Sequence, residues 1–304
     1  MSQQQVHRVK SIAEFHKMKG LPSPQHPLIS LFDYESFACS EEINHKNFVF
    51  DFYHISIKRS IDATFKYGQS HYDFDDGVMF FIAPNQVFGI EKIDEIATTQ
   101  SGWVLMVHPD FLWNTPLAKN ISHYEFFDYA VNEALFLSDK EEATLNAIVK
   151  NIEHEYNANL DQFSQNIIIS QLETLLNYSE RFYQRQFLTR KVNNYQILDN
   201  VEKTIDDYFN NENTSGLPTV QYIAQSLNIS PMYLSSLLKS LTGLTTQQHI
   251  HEKLIEKAKA KLSTTELTVS EIAFQLGFEH SQSFSKLFKN KTNSSPIEFR
   301  NSFN

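Results

Sequence analysis

The spacing of hydrophobic residues changes along the chain, from the short period of strands to the longer period of helices. Phe48, Phe50 and Phe52 recur at every second position, and Tyr53, Ile55 and Ile57 continue this spacing on the shifted phase. This pattern predicts a strand with a bulge. Two apolar runs, 78–83 and 103–107, lie between turn residues. We therefore predict that residues 1–137 form a small β-barrel or sandwich of short strands.

Helical spacing begins at residue 138. Ser138 and Glu141 stand in the capping-box arrangement, in which the two side chains satisfy each other's free backbone N–H groups. Apolar residues follow at helical intervals to residue 156 and again over 167–182. We predict an antiparallel helical hairpin within 138–187. The polar stretch 187–196 has no strong period and is our candidate linker, and 210–216 is a predicted loop.

A repeat occupies the last third of the chain. Residues 219–239 read TVQYIAQSLNISPMYLSSLLK, and residues 268–289 read TVSEIAFQLGFEHSQSFSKLFK. The matching positions are 49 residues apart before the central turn and 50 apart after it. Such self-similarity indicates an internal duplication of one small unit.

Each copy fits a helix-turn-helix. Thr268 can cap the first helix, and Gly277 permits the left-handed backbone of a tight turn. Its counterpart Asn228 is the next most tolerant residue for that conformation. Phe284, Leu287 and Phe288 predict the buried stripe of the second helix. The opposite face is polar or cationic, as needed to read base edges and phosphates: Ser281, Gln282, Ser285, Lys286 and Lys289.

The segment between the copies, 251–262, has no glycine or proline and favours a helix. Twelve helical residues span roughly 18 Å. We predict that this stiff spacer holds two recognition helices about one DNA turn, ~34 Å, apart.

Residues 196–304 resemble the AraC/XylS family of bacterial transcription regulators. The similarity lies in Ala258 and Leu262, in the runs 269–273 and 284–289, in the Gly-Phe pair at 277–278, and in 296–300. The resemblance implies two helix-turn-helix motifs, 219–241 and 268–290, joined by a linker helix and binding double-stranded DNA. It places base contacts at Met232, Ser235, Ser236, Ser281, Gln282, Ser283 and Lys286. The polar faces add Lys239, Ser285 and Lys289 to these DNA-binding candidates.

The sequence departs from the family pattern at three places. Lys253 stands where the linker helix usually has Arg. Asn293 stands where Gly is usual, and it still tolerates the left-handed conformation of a helix cap. The first recognition helix offers Ser235 and Ser236 where Arg or Gln is common. We therefore expect the second recognition helix to carry more of the base reading, and the first to contribute phosphate and apolar contacts.

The N-terminal region resembles, more weakly, the cupin-like effector-binding domains often fused to such motifs. A metal-binding cupin needs a facial set of His and carboxylate ligands. His71 and Asp73 do not complete that set, and His54, His108 and His123 are scattered. We therefore expect no metal and no cofactor, and the ligand-binding residues stay unknown. The resemblance also favours the hairpin as the interface of a homodimer, and RNA polymerase as a partner if the protein is an activator.

Composition agrees with this interpretation. The chain has 304 residues and a net charge of −10, but residues 190–304 carry 12 Lys/Arg against 11 Asp/Glu. The acidity therefore lies in the N-terminal part. The single cysteine, Cys39, excludes an internal disulfide and a multi-cysteine zinc site. We find no signal peptide, no membrane-length apolar run and no catalytic motif, and we expect a cytoplasmic protein that is not an enzyme.

The predicted fold class is α+β: a cupin-like β-barrel (1–137), a helical hairpin (138–187) and an all-α DNA-binding domain with two helix-turn-helix motifs (188–304). The predicted function is sequence-specific transcription regulation under a small-molecule effector. Two alternatives stay open at this point. One is a constitutive regulator whose barrel senses nothing, and the other is a metal-dependent cupin enzyme joined to a DNA-binding domain.

Overall fold

The structure is a computed structural model. It describes residues 6–36, 47–59, 65–67, 70–72, 77–89, 101–130, 133–158, 163–189, 191–211 and 216–302. The chain divides into two compact units, Met1–Gln186 and Phe187–Asn304, here called the N-terminal and C-terminal units. Cys39, Asp73, the side chain of His71 and most of the predicted loop 210–216 lie outside the described residues.

The N-terminal unit is built on β-strands. In chain order they are β1 (Val6–Val9), β2 (Ile29–Asp33), β3 (Asn47–Phe50), β4 (Tyr53–Arg59), β5 (Phe65–Tyr67), β6 (Ser70–Tyr72), β7 (Val78–Ile82), β8 (Val87–Gly89), β9 (Ser101–Val107) and β10 (Leu135–Phe136). One sheet has the order β1-β3-β8 and a larger one the order β10-β7-β4-β9-β2, while β5 and β6 pair as a hairpin. The predicted strands at 78–83 and 103–107 are confirmed as β7 and β9.

The predicted bulged strand over 48–57 is wrong. The chain bends at Asp51 and Phe52, so that β3 joins the small sheet and β4 the large one. The bend is held by Arg8, whose guanidinium lies 2.6 Å from the Asp51 carboxylate, and by the Asp51 N–H, which donates to the Val9 carbonyl. The shifted hydrophobic phase therefore marks a change of sheet.

A hydrophobic core contains side chains from both sheets. Phe48, Phe50 and Phe88 come from the small sheet, and Val104 and Met106 from the large one. Helix α1 (Ile12–Lys19) adds to this core, and α2 (Pro116–Asn120) follows β9. The other face of the large sheet carries the odd-numbered residues of β4 and β9.

Two helices follow β10, α3 (Asp139–Asn157) and α4 (Ser164–Thr189), and the N-terminal unit ends within α4, at Gln186. The predicted capping box is present, because the Ser138 N–H donates to the Glu141 carboxylate at 2.9 Å. Arg185 contacts Glu141 at 2.6 Å, and Asn151 contacts Gln171 at 3.4 Å. These pairs show that the two helices run antiparallel.

The C-terminal unit is helical. Its helices are α5 (Lys191–Asn210), α6 (Val220–Ser226), α7 (Pro231–Thr242), α8 (Thr246–Thr264), α9 (Val269–Gln275), α10 (Ser281–Thr292) and α11 (Pro296–Asn301). The structure thus confirms a mixed chain with strands in its first part and a helical C-terminal region.

Two predicted boundaries need correction. The candidate linker 187–196 is largely helical, because α4 continues to Thr189 and α5 begins at Lys191. Phe187 is buried, and its ring packs on the ring of Tyr233 with 5.2 Å between the centroids. The predominantly polar stretch therefore contains a residue of the hydrophobic core. The linker helix is also longer than predicted, since α8 has 19 residues and spans about 28 Å.

No helix within the described residues is long and apolar enough to cross a membrane. In the same part of the chain, no three His, Cys, Asp or Glu side chains are grouped closely enough to hold a metal ion.

Candidate nucleic-acid interface

The first helix-turn-helix consists of α6 and α7. Thr219 caps α6 by accepting a hydrogen bond from the Tyr222 N–H at 3.1 Å, and Ser230 caps α7. Asn228 has φ 55° in the turn, and Gly243 has φ 79° at the end of α7. The left-handed turn predicted at Asn228 is confirmed.

The second helix-turn-helix consists of α9 and α10. Thr268 and Glu271 form a complete capping box, in which the Glu271 N–H donates to the Thr268 hydroxyl at 3.2 Å and the Thr268 N–H donates to the Glu271 carboxylate at 2.7 Å. The hydrogen bonds from Thr268 lower the pKa of Glu271. Gly277 has φ 92° in the turn, and Asn293 has φ 61° at the end of α10. Both left-handed positions match the prediction.

Gly277 also meets a neighbouring segment of the same unit. A Cβ added to Gly277 would lie 2.1 Å from the carbonyl oxygen of Gly216. Gly216 precedes the first helix-turn-helix, and Leu217 beside it packs on the core of the second. The turn of the second helix-turn-helix therefore packs against the backbone segment that leads into the first helix-turn-helix. The sequence pattern does not reveal this contact.

Each recognition helix buries one face. In α10, Phe284 and Phe288 are fully buried, Leu287 packs beside them, and Ala273 of α9 is buried against this core. In α7, the buried stripe is formed by Tyr233, Leu234, Leu237 and Leu238. The buried stripe predicted for α10 is confirmed by this burial.

The serine side chains on the polar face of α7 make contacts within the protein. Ser236 is only 5% exposed, and its hydroxyl donates to the Met232 carbonyl at 3.0 Å. The Ser235 hydroxyl lies 3.1 Å from that of Thr246, which is buried. Met232 is 36% exposed, and Lys239 is exposed. The placement of Ser236 does not support the DNA contact predicted for it, because little of its side chain reaches the surface.

The polar face of α10 is open. Gln282, Ser283, Lys286 and Lys289 are exposed. Ser281 and Ser285 are partly buried, and the Ser285 hydroxyl donates to the Ser281 carbonyl at 3.0 Å. Amide, hydroxyl and ammonium groups that project from one exposed helix face can contact base edges and phosphates.

Lysines of the linker helix α8 are engaged by protein partners. Lys253 and Lys257 each lie 3.1 Å from the Asp206 carboxylate, and Lys261 donates to the Gln275 side chain at 2.8 Å. Hydrogen bonds to Asp206 and Glu256 raise the pKa of Lys253. The positive charge of α8 is thus partly neutralised, which leaves the lysines of α10 more prominent.

Two further cationic side chains, Lys291 and Arg300, lie in the C-terminal unit. Lys291 is exposed on α10, and it adds to burial in lowering the pKa of His251. Arg300 donates to the carbonyls of Leu262 and Leu267, at 3.2 and 2.6 Å. It therefore fastens the end of α8 and the segment before α9. Arg300 belonged to the family pattern, but nothing in the sequence showed which carbonyls it binds.

Residues 223–302 match the sequence profile of a family described as a helix-turn-helix domain. An uncharacterised helix-turn-helix transcriptional regulator of Escherichia coli K12, YijO, is 34% identical over 101 residues, which are 33% of this chain and 35% of that protein. The arabinose operon regulatory protein of the same organism is 29% identical over 103 residues, 34% of this chain and 35% of that protein.

The C-terminal unit carries an AraC/XylS-family DNA-binding domain. The C-terminal domain of the response regulator yesN from Fusobacterium nucleatum is a solved structure with 34% identity and a TM-score of 0.30. That similarity covers 33% of this chain and 98% of that domain. The chain spans about a third of the length of the two Escherichia coli relatives, so the similarity concerns the AraC/XylS-type domain.

Proposed function

We propose that the protein is a sequence-specific transcription regulator that binds double-stranded DNA through its two helix-turn-helix units. The exposed polar face of α10, set on a buried aromatic stripe in an AraC/XylS-type domain, carries this proposal. Gln282 and Lys286 read bases, while Lys239 and Lys289 contact phosphates. The first helix-turn-helix contributes less base reading, because the hydroxyls of Ser235 and Ser236 on α7 contact groups within the protein.

The two recognition helices engage one face of the duplex about one helical turn, ~34 Å, apart. The length of α8, about 28 Å, supports a spacer of this size. The ion pairs of α8 with Asp206 of α5 further support a stiff connection between the two helix-turn-helix motifs.

The N-terminal unit is proposed to be a cupin-like, effector-binding domain. Its two sheets share one aromatic core, which supports a barrel-like arrangement. Burial lowers the pKa of His54 to about 4, and its Nδ1 atom has no hydrogen-bond partner among the described residues. An effector that binds one conformation of the protein better than another would shift its affinity for DNA.

The helical pair α3–α4 is proposed to form the interface of a homodimer. Apolar side chains are exposed at Phe163, beside the start of α4, and at Ile167 on α4 itself. A two-fold dimer would place four helix-turn-helix units on two half-sites. The working location would be the cytoplasm, with RNA polymerase as a partner if the protein activates transcription.

Genome-wide occupancy of the protein, measured with transcript changes on its deletion, tests the proposed function. The proposal expects sharp occupancy peaks beside a limited number of altered operons. Diffuse occupancy with no transcript change beside the peaks would contradict it. A duplex selected from a random pool by the full chain provides the binding site for the variants discussed below.

A further inference from the structure

A cavity of about 380 Å³ lies on the outer side of the large sheet, where α3 crosses it. Its lining comes from β2, β4 and β9 on one side and from α3 on the other. This side carries Ile57 and Trp103, whereas the core shared by the two sheets contains Val104 and Met106 on the opposite face. The cavity is therefore distinct from the space between the sheets.

The floor of this cavity is held by polar contacts. The buried carboxylate of Glu142 lies 2.7 Å from the guanidinium of Arg59, and Asn146 donates to the same carboxylate at 3.3 Å. The Trp103 indole N–H donates to the Asn146 side chain at 2.8 Å. Glu142, Asn146 and Glu153 repeat at intervals that keep them on one side of α3.

The strand register separates two ends of the cavity. Ile57 of β4 and Asp33 of β2 both pair with Trp103 on the strand between them, so they are about 10 Å apart across the sheet. Arg59 and its partner Glu142 lie at the β4 end. Asp33 lies at the β2 end, followed in sequence by Glu35, which also lines the cavity.

Charge distinguishes the pair of Arg59 and Glu142 from the rest of the lining. The charge of the buried Glu142 carboxylate is neutralised by its ion pair with Arg59. The remaining charged lining groups are the carboxylates of Asp33, Glu35 and Glu153 and the ammonium of Lys150. No ion pair joins these four groups to another described residue, so this part of the lining carries a net negative charge. Trp103 and Val149 supply apolar surface beside these carboxylates.

We propose that this cavity binds a small organic amine, with the ammonium group at Asp33, Glu35 and Glu153 and the apolar body against Trp103. Carboxylates satisfy an ammonium with charge-assisted hydrogen bonds, and the indole offers a non-polar and cation-attracting surface. The volume is within the range of small-molecule sites. The site goes beyond the proposed DNA-binding function and does not depend on it.

Three small molecules of similar shape but different charge test whether the cavity prefers a cation. Phenethylamine is cationic, 2-phenylethanol is neutral, and 3-phenylpropionate is anionic. Each is titrated into the full chain by isothermal titration calorimetry at neutral pH and low salt. The amine should bind at least about ten-fold more tightly than the alcohol, and the carboxylate should bind weakest.

Charge variants then locate the amine. Glu153→Gln should weaken phenethylamine binding about five- to ten-fold, because one carboxylate partner is lost. Lys150→Gln should strengthen it up to about five-fold, because a like charge is removed. Glu155→Gln, on the same helix but outside the lining, is the matched control and should leave the affinity unchanged.

The opposite responses of Glu153→Gln and Lys150→Gln, with folding checked by unchanged melting temperatures, would support the site. No amine binding up to about 10 mM would overturn it, as would equal binding of the alcohol or tighter binding of the carboxylate. DNA binding by the same preparation, measured in parallel, reports on the proposed function separately.

Discussion

The two helix-turn-helix units follow one plan but exchange glycine and asparagine. The first unit has Asn228 in its turn and Gly243 at the end of its recognition helix, with φ 55° and 79°. The second has Gly277 in its turn and Asn293 at the end, with φ 92° and 61°. Both residue types adopt the left-handed conformation, so backbone angle alone does not explain the exchange.

The surroundings of the two positions explain why they differ. A Cβ at Gly277 would overlap the Gly216 carbonyl, whereas a Cβ at Gly243 would meet no atom within 4 Å. The recognition helices differ in a parallel way, since α7 uses its serines internally and α10 leaves Gln282 and Lys286 exposed. We infer that duplication left two similar scaffolds with unequal tasks: the second unit is fixed more tightly in place and reads more of the DNA.

The largest expected effect is on stability. Gly277→Ala and Gly277→Asn should both lower the free energy of unfolding of the C-terminal unit by about 2–4 kcal/mol, because any Cβ meets the Gly216 carbonyl. Far-UV circular dichroism during urea unfolding measures this loss. Hydrogen exchange in peptides covering 269–292 locates it. Tryptophan fluorescence should change little, since both tryptophans, Trp103 and Trp113, belong to the N-terminal unit.

Gly243→Ala and Gly243→Asn are the matched controls for this prediction. They should cost about 1 kcal/mol or less, because only the left-handed backbone disfavours the new side chain. If Gly277→Asn were tolerated as well as Gly243→Asn, the contact with Gly216 would have no energetic importance, and the comparison between the two turns would fail.

The next effect is on DNA affinity. Lys286→Ala should weaken binding to the selected site by roughly 1–3 kcal/mol, because it removes an exposed ammonium that we propose contacts a base. Fluorescence anisotropy with a labelled duplex at fixed salt measures the change. A scrambled duplex should lose much less affinity, since base contacts count only at the correct sequence.

Ser236→Ala is the counterpart in the first recognition helix. The hydroxyl of Ser236 donates to the Met232 carbonyl and is buried. Removing it should change DNA affinity by less than about 0.5 kcal/mol. A loss as large as that of Lys286→Ala would show that Ser236 contacts DNA after all.

The smallest effect concerns the capping box at the start of α9, the first helix of the second helix-turn-helix. The first helix of the other motif, α6, has no capping box. The pKa of Glu271 is lowered by its hydrogen bonds from Thr268, so its stabilising contribution is present above the ordinary value of 4.5. That contribution disappears as the pH falls through the lowered pKa. Glu271→Ala should therefore melt at a lower temperature than the wild type at pH 7, with the difference shrinking in acid.

Tyr222→Ala changes the equivalent position of the first unit, where no carboxylate reaches back to Thr219. Its melting difference from the wild type should not shrink in acid through loss of a capping carboxylate. A melting difference for Glu271→Ala that stayed constant from pH 7 to below the pKa of Glu271 would contradict the role of the capping box.

Local signals along the sequence predicted much of the C-terminal unit. Thr268 as a cap, Asn228, Gly277 and Asn293 as left-handed positions, and Phe284 in the core are all properties of short segments. The repeat supported them, because two copies had to satisfy the same pattern. The contact between Gly277 and Gly216 was not predictable, since it joins residues 61 positions apart that no spacing connects.

The N-terminal unit was less predictable for a physical reason. The hydrophobic phase shift near Phe52 fits a bulge as well as a bend between two sheets, and only strand partners decide between them. In the C-terminal unit, the burial of Phe187 likewise depends on a distant partner, Tyr233. The same limit applies to Ser236, whose place on α7 was predicted but whose burial depends on the neighbouring helices.

The most direct test of unequal reading compares two double variants on the selected duplex and a scrambled one. Gln282→Ala with Lys286→Ala should reduce the affinity ratio between the two duplexes by at least about ten-fold. Met232→Ala with Lys239→Ala should weaken binding to both duplexes by similar factors and leave the ratio nearly unchanged. If the Met232 and Lys239 pair removed the discrimination and the Gln282 and Lys286 pair preserved it, the first unit would be the reader and our central claim would be wrong.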